Sequence, residues 1–192
     1  VYKIQVNDPA SHNPNYDNPV LLTTLVHAST TFTNGGTIEF FGATQKIYIG
    51  HDAGFTTIAF DGSGETYFGL PNGSVFPRPM KQFNGYLYIG NGPNIAEVNS
   101  AGSITNSNRL ATGFPSNTQV RDLDVSPDGV YLEAVVTRLA LPDITSASQD
   151  TSFLSNSESY IYKWNGSDTN ATSFETFPSF SLNANTVFNG HQ

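Results

Sequence analysis

The sequence contains no cysteine, which excludes disulfide bonds, thiol catalysis and cysteine-ligated zinc. Charge is also scarce, because only 12% of the 192 residues are Asp, Glu, Lys or Arg. Eight basic residues stand against 16 acidic ones, and this net charge of −8 opposes binding to polyphosphate, so we expect no nucleic-acid partner. Asn, Ser, Thr and Gly must therefore cover most of the surface, a composition that favours an exported or virion protein over a cytosolic enzyme.

Long apolar runs and helical periodicity are missing as well. The longest apolar stretches, such as residues 21–26, are far shorter than the roughly 20 residues of a membrane-spanning helix, so we expect no membrane insertion. No charged and then apolar leader follows Val1, and any signal peptide is expected to lie outside this sequence. Aromatic residues are plentiful, with 14 Phe and 9 Tyr that can bury a substantial core.

The strongest local signal is the stretch FNGYLYIG at residues 83–90. Asn84-Gly85 is a favoured two-residue hairpin turn, because both central positions of a type I′ turn require positive φ. In the following strand Tyr86 and Tyr88 share one face, while Leu87 and Ile89 share the other. This alternation predicts a strand with both faces packed, as in stacked sheets.

The same pattern recurs along the chain with a period of about 40 residues, which is typical of β-propeller blades. Lys46 to Gly50 repeats the strand, Asp128-Gly129 takes the place of the hairpin turn, and Phe-Pro pairs end successive segments. The period predicts an all-β propeller of four-stranded antiparallel blades. A β-sandwich is the alternative, although it does not explain an ordered repeat.

The landmarks divide the chain into three whole blades and two partial ones. We expect blades at 35–77, 79–115 and 119–178, and partial blades at 1–33 and 183–192. Residues 138–157 are interpreted as an insertion between two strands of the third blade, at the face where propellers usually bind. Because both ends interrupt an apparent blade, the chain is expected to be a fragment of a larger ring, or a small ring whose end segments share one blade.

A family resemblance follows from these repeats. Residues 124–132, DVSPDGVYL, resemble the strand-turn-strand signature of TolB-like and YVTN-type propeller repeats. The stretch at 83–90 is similar to blades of phage structural and bacterial surface proteins. The resemblance covers most of the chain and implies the propeller fold, but it carries over no catalytic residues, because only the turn motif is matched.

One candidate metal site lies beside this turn. Positions one, three, five, seven and twelve of an apparent calcium loop are Asp122, Asp124, Ser126, Asp128 and Glu133. Pro127 occupies the sixth position, where such a loop needs glycine, so the alternative is a plain turn after a strand. We predict calcium at Asp122, Asp124 and Asp128 if a metal binds, and otherwise no cofactor.

A candidate ligand site is His51-Asp52, which follows the predicted strand at 46–50 and is expected to line the mouth of the ring. The four histidines show no spacing typical of metal ligands. Trp164 is expected to pack in the core, since its strand alternates, although an exposed aromatic ring would stack on sugars.

The sequence favours a noncatalytic role over an enzyme, because it contains no nucleophile elbow, zincin motif or phosphate loop. It favours a noncatalytic propeller with a structural or binding role on a virion or a cell surface. On a virion this would be a phage tail or capsid-associated protein, and on a cell surface an adhesin. Its expected partners are proteins of the same assembly or a surface glycan, within a larger oligomer. One alternative is a secreted glycan or lactone hydrolase or lyase that pairs carboxylates such as Glu39, Glu97 and Glu133. The other is a protein-docking scaffold.

Overall fold

The computed structural model describes residues 2–3, 20–21, 35–71, 78–115, 118–138 and 158–176. These residues form fourteen β-strands and contain no helix, which confirms the predicted all-β class. Within the same ranges no helix is long and apolar enough to cross a membrane.

Twelve of these strands form three four-stranded sheets, and the other two form a pair. The pair is β1 (Tyr2–Lys3) with β2 (Val20–Leu21). The first sheet contains β3 (Gly35–Phe41), β4 (Lys46–His51), β5 (Gly54–Ile58) and β6 (Thr66–Gly69). The second contains β7 (Met80–Phe83), β8 (Tyr86–Asn91), β9 (Asn94–Val98) and β10 (Ile104–Asn106). The third contains β11 (Thr118–Val125), β12 (Leu132–Arg138), β13 (Glu158–Trp164) and β14 (Thr172–Thr176). Each four-stranded sheet is an antiparallel meander in which neighbours in the chain are neighbours in the sheet.

The turn between β7 and β8 is the hairpin that the sequence predicts. Asn84 and Gly85 have φ values of 49° and 81°, and Phe83 pairs with Tyr86 across them. Positive φ at both positions is the requirement of a type I′ turn, so the Asn-Gly pair sets the register of this hairpin.

The corresponding turn of the third sheet has a different form. Residues 126–131 connect β11 to β12, and the N–H of Gly129 donates to the carbonyl of Ser126 at 2.8 Å. Gly129 has a φ of 72°, but Asp128 is not among the residues with positive φ. Pro127 fixes its own φ near −65°, which starts an ordinary turn and lengthens the loop. Asp128-Gly129 therefore does not form a second two-residue hairpin.

The second sheet lies between two hydrophobic cores. Leu87 and Ile89 of β8 face the first core, while Tyr88 between them faces the second, so both faces of this strand are packed, as predicted. Tyr86, next to the turn, is exposed. The first core consists of Phe41, Tyr48, Phe55, Leu70, Met80, Leu87, Ile89, Ala96 and Val98. The second consists of Phe83, Tyr88, Ile95, Leu110, Phe114, Val120, Leu123, Leu132, Ala134, Val136 and Trp164.

The three sheets are stacked with their ends aligned. The first strands of the sheets make contact in series, β3 with β7 and β7 with β11. We name the end that carries the turns 52–53 and 92–93 the upper end, and the opposite end, with turns 42–45, 84–85 and 99–103, the lower end. At the upper end the N–H of Val120 donates to the carbonyl of Gly92 at 3.0 Å, which joins the second and third sheets.

Several predicted segments lie outside the described residues. They are the partial blade at 183–192, most of the partial blade at 1–33, and residues 139–157 of the predicted insertion. Arg138, the first residue of that insertion, still belongs to β12 and pairs with Glu158 of β13 at the upper end of the third sheet. The division of the chain into blades stays a prediction.

Candidate functional site

The predicted ligand site at His51-Asp52 lies at the upper end of the first sheet, where β4 turns into β5. His51 is only 1% exposed, and its ring stacks on Tyr67 with 5.5 Å between the ring centroids. Its Nε2 lies 3.3 Å from Oγ1 of Thr56 on the adjacent strand. The histidine is therefore packed into one face of the sheet.

A buried arginine, which the sequence analysis missed, organises this region. Nε of Arg78 donates to the carbonyl of His51 at 2.9 Å, and a terminal nitrogen donates to the carbonyl of Asp52 at 3.0 Å. The other terminal nitrogen donates to Oδ1 of Asn91 at 3.0 Å, at the upper end of the second sheet. Burial lowers the pKa of the Arg78 guanidinium to about 10, while the Asp52 carboxylate acts in the opposite direction. We call His51, Asp52, Arg78 and Asn91 the Arg78 network.

The network extends into the segment after β10, because Nδ2 of Asn91 donates to the carbonyl of Ser107 at 2.8 Å. The backbone carbonyl of Arg78 in turn accepts a hydrogen bond from Oγ1 of Thr37 on β3. The donors of this guanidinium thus reach two sheets at once. Because most of its acceptors are backbone carbonyls, which do not titrate, the arrangement suits the joining of sheets better than proton transfer.

The predicted metal ligands lie on β11 and in the turn that follows it, and each carboxylate accepts hydrogen bonds from the protein. Asp122 accepts from the N–H of Leu123 at 2.9 Å, and Asp128 accepts from Oγ of Ser126 at 2.6 Å. Asp124 forms an ion pair with Nζ of Lys81 at 2.7 Å, and this contact lowers the pKa of Asp124. In the part of the chain that the structure describes, no three His, Asp or Glu side chains form a group that could hold a metal ion. Calcium at these residues stays a prediction.

Two of the carboxylates considered for acid-base chemistry, Glu39 and Glu97, have other partners, and Glu39 accepts from Nε2 of Gln82 at 3.3 Å. Glu97 pairs with Nε of Arg109 at 3.0 Å and accepts hydrogen bonds from Tyr88 at 3.3 Å and Thr105 at 2.7 Å. Burial and the negative charge of Glu97 raise the pKa of Tyr88. The guanidinium of Arg109 also lies 5.0 Å from the ring centroid of Trp164, which is buried as expected. These groups close the lower part of the junction between the second and third sheets.

A pocket of about 340 Å³ opens at the lower end, between the first and second sheets. The first sheet contributes charged, hydroxyl and aromatic side chains, and the turn between β9 and β10 supplies the opposite wall. We call this cavity the lower pocket. It is lined by Thr44, Lys46, Tyr48, Thr57, Phe68, Ser100, Ala101, Gly102 and Ser103.

The wall formed by the turn is held in a defined shape by its first residue. Oδ1 of Asn99 accepts from the N–H groups of Ala101 and Ser103, both at 3.0 Å. Gly102 has a φ of 80°, and a Cβ added there would lie 3.1 Å from the hydroxyl of Tyr48. Glycine thus allows the turn to approach the first sheet closely. No sequence motif predicted this contact.

Comparison with protein-family models and with curated proteins does not assign this chain to a family. No protein-family model matches it, and no curated protein matches it. The three sheets, the Arg78 network and the lower pocket are therefore the basis for a functional assignment.

Proposed function

We propose that the chain is part of a β-propeller that acts as a noncatalytic structural or binding module of a virion or cell surface. The stacking of three four-stranded meanders through their first strands carries this proposal. Propeller blades pack in this manner, face to face around an axis near the first strands. The three sheets are then consecutive blades.

The face of the first sheet opposite the first core supports the proposal of a larger ring. Ile38 and Phe40 alternate with Phe41, so they lie on the face opposite the first core. They are 63% and 38% exposed, and Phe40 packs against the exposed ring of Phe60 at 4.9 Å between centroids. Apolar side chains on this face suit contact with one more blade, because stacking removes them from water.

The use of polar groups supports a rigid binding module. Arg78 and its partners connect two sheets at the upper end, and Glu97 with Arg109 closes the next junction. A scaffold fixed in this way can present loops and pockets to a partner with little rearrangement on binding. The proposed partners are proteins of the same assembly or a surface glycan.

A glycan array tests the binding role. The full 192-residue chain is labelled and applied to the array, and the same preparation is incubated with polysaccharides and lactones. We expect saturable retention on a subset of glycans or on a partner protein, with unchanged ligand mass. Release of shortened sugars or opened lactones would replace this proposal with the hydrolase or lyase alternative.

Electron microscopy of the native assembly tests the location and the ring. We expect a closed propeller, completed by further blades or subunits, mounted on a virion or a surface fibre. A free intracellular protein would instead favour the docking scaffold, and an open stack of sheets would contradict the propeller.

A further inference from the structure

We propose that the lower pocket binds an acidic monosaccharide unit, a pyranose that carries a carboxylate. This inference rests on the glycan-binding part of the proposed function and names the sugar class and its site. The volume of about 340 Å³ is near the small end of ligand pockets, about 300–1,000 Å³, and suits one sugar unit better than an extended chain.

The charge in the pocket selects the anion. Lys46 lines the cavity, and it takes part in neither the ion pair of Lys81 with Asp124 nor that of Arg109 with Glu97. A cation in a pocket of a protein with a net charge of −8 stands out against its surroundings. The ammonium group can donate charge-assisted hydrogen bonds to a carboxylate.

The remaining walls match a sugar ring. Phe68 lines the pocket and is held in place by stacking on Phe55, with ring centroids 4.8 Å apart. A pyranose is amphipathic, with an apolar C–H face and polar hydroxyl groups. An aromatic wall can stack on its C–H face. Thr44, Ser100 and Ser103 add hydroxyl groups that can exchange hydrogen bonds with sugar hydroxyls.

One wall residue has a hydroxyl without a protein partner. Thr57 is 2% exposed, and its Oγ1 makes no hydrogen bond within the described part of the chain. A buried hydroxyl in this condition destabilises the folded chain, because it has lost its hydrogen bonds to water. A ligand hydroxyl that enters beside Thr57 would provide the missing partner.

Comparison with the next junction shows that the pocket is not a general result of the repeat. Tyr48 pairs with Thr57 across β4 and β5, and Tyr88 pairs with Glu97 across β8 and β9, so these are equivalent positions. Where the first sheet has Thr57, the second sheet has Glu97, which binds Tyr88 and Arg109. At the second junction this position is occupied by the ion pair of Glu97 with Arg109. At the first junction a cavity remains, and Lys46 in its wall forms no ion pair with the described residues.

Titration of simple sugars tests the proposal. The probes are D-glucuronate, N-acetylneuraminate and D-glucose, followed by ligand-observed NMR and by calorimetry on the full chain. We expect at least one acidic sugar to bind more tightly than glucose and to lose affinity as salt is added. Equal binding of glucose and both acidic sugars, or no binding of any of them, would overturn the proposal.

Matched lysine variants locate the site. Lys46→Gln is expected to weaken binding of the acidic sugar by about tenfold, because it removes a charge-assisted hydrogen bond. Lys81→Gln removes the same charge from a surface ion pair outside the pocket, and we expect a change of less than about twofold. Equal effects of the two variants would reject the pocket as the site.

Two further variants separate binding from folding. Thr57→Val should raise the melting temperature, because it removes a buried hydroxyl that lacks a partner, and yet weaken binding. Ala101→Trp should block the pocket without disturbing the backbone hydrogen bonds of its turn, and circular dichroism checks that the sheets persist. Unchanged affinity in both variants would overturn the proposal. Retention on the glycan array that survives Lys46→Gln would reject only the pocket, whereas glycan turnover would reject only the noncatalytic role.

Discussion

At the scale of single residues, Arg78 shows how much one buried charge can organise. Its guanidinium donates to the carbonyls of His51 and Asp52 and to the side chain of Asn91. Burying a charge is costly unless its hydrogen bonds are satisfied, and here they are satisfied by groups of two different sheets. The arginine therefore stabilises the stack only when both sheets are correctly placed.

Replacement of this arginine should be strongly destabilising. Arg78→Met leaves the buried acceptors without donors, and we expect the free energy of unfolding to fall by about 3 kcal/mol in urea denaturation. Lys81→Met, which removes an ion pair at the surface, should cost less than about 1 kcal/mol. A similar loss in both variants would mean that the network contributes no more than a surface contact.

Acid should weaken the fold through turn aspartates. Oδ1 of Asp61 accepts from Oγ and from the N–H of Ser63, and Oδ1 of Asp128 accepts from Oγ of Ser126. These hydrogen bonds lower both pKa values below the ordinary 3.8. A carboxylate with a lowered folded pKa contributes stability above its unfolded pKa, and that stability is lost as the pH falls further.

We therefore expect the urea midpoint to decrease from about pH 4 downward. The Asp61→Asn, Asp128→Asn double variant, which keeps an acceptor oxygen but cannot ionise, should lose less between pH 6 and pH 3. Parallel losses in the two proteins would contradict this assignment.

At the scale of elements, two turns with the same backbone hydrogen bonds have different roles in different sheets. The turn at 59–63 and the turn at 99–103 share the same backbone bonds, from Ala59 to Ser63 and from Asn99 to Ser103. In the second sheet, however, this turn lies against the first sheet and forms one wall of the lower pocket. A repeated element thus acquires a role from its neighbour.

A pair of glycine variants separates backbone strain from this contact. Gly102→Ala and Gly129→Ala both place a side chain at positive φ, 80° and 72°, which costs about 1–2 kcal/mol. At Gly102 the new Cβ also meets the hydroxyl of Tyr48 at 3.1 Å, whereas nothing lies within 4 Å at Gly129. We expect Gly102→Ala to be the more destabilising by about 1 kcal/mol in thermal unfolding. Equal losses would show that the turn can move away freely.

At the scale of the whole molecule, the second sheet belongs to both cores. Neighbouring side chains of β8 alternate between the core shared with the first sheet and the core shared with the third. Loss of packing on one side should therefore be transmitted through the strand to the other side. We expect the three sheets to unfold together.

Trp164 provides a probe of this coupling. It is the sole tryptophan and is buried in the second core, whereas Leu87 is buried in the first. Leu87→Ala should cost about 2–5 kcal/mol, and the fluorescence and circular dichroism midpoints should shift together. Tyr86→Ala, at an exposed position on the same strand, should shift both midpoints much less. A fluorescence transition that stays in place while circular dichroism shifts would show independent sheets.

The sequence by itself determined the local structure. The Asn84-Gly85 hairpin follows from the steric requirement for positive φ, and the alternation of β8 follows from the two-residue period of a strand. These are short-range effects, and their repetition was enough to predict antiparallel four-stranded units. Asp128-Gly129 takes the place of that turn in the third sheet, as predicted, but it belongs to a longer turn that begins at Ser126, because Pro127 lengthens the loop.

Only the tertiary structure decided the sites. His51 lies in a buried network in which Arg78, 27 residues further along the chain, binds its carbonyl. A ligand at His51 and Asp52, at the mouth of the ring, stays a prediction. Similarly, the lower pocket combines side chains of the first sheet with a turn of the second. Such sites depend on which side chains meet across a junction, and contacts between distant segments have no spacing rule that a sequence motif can express. The sequence shows Thr57 at the position where the second sheet has Glu97. The cavity beside Thr57, however, exists only because two sheets are stacked.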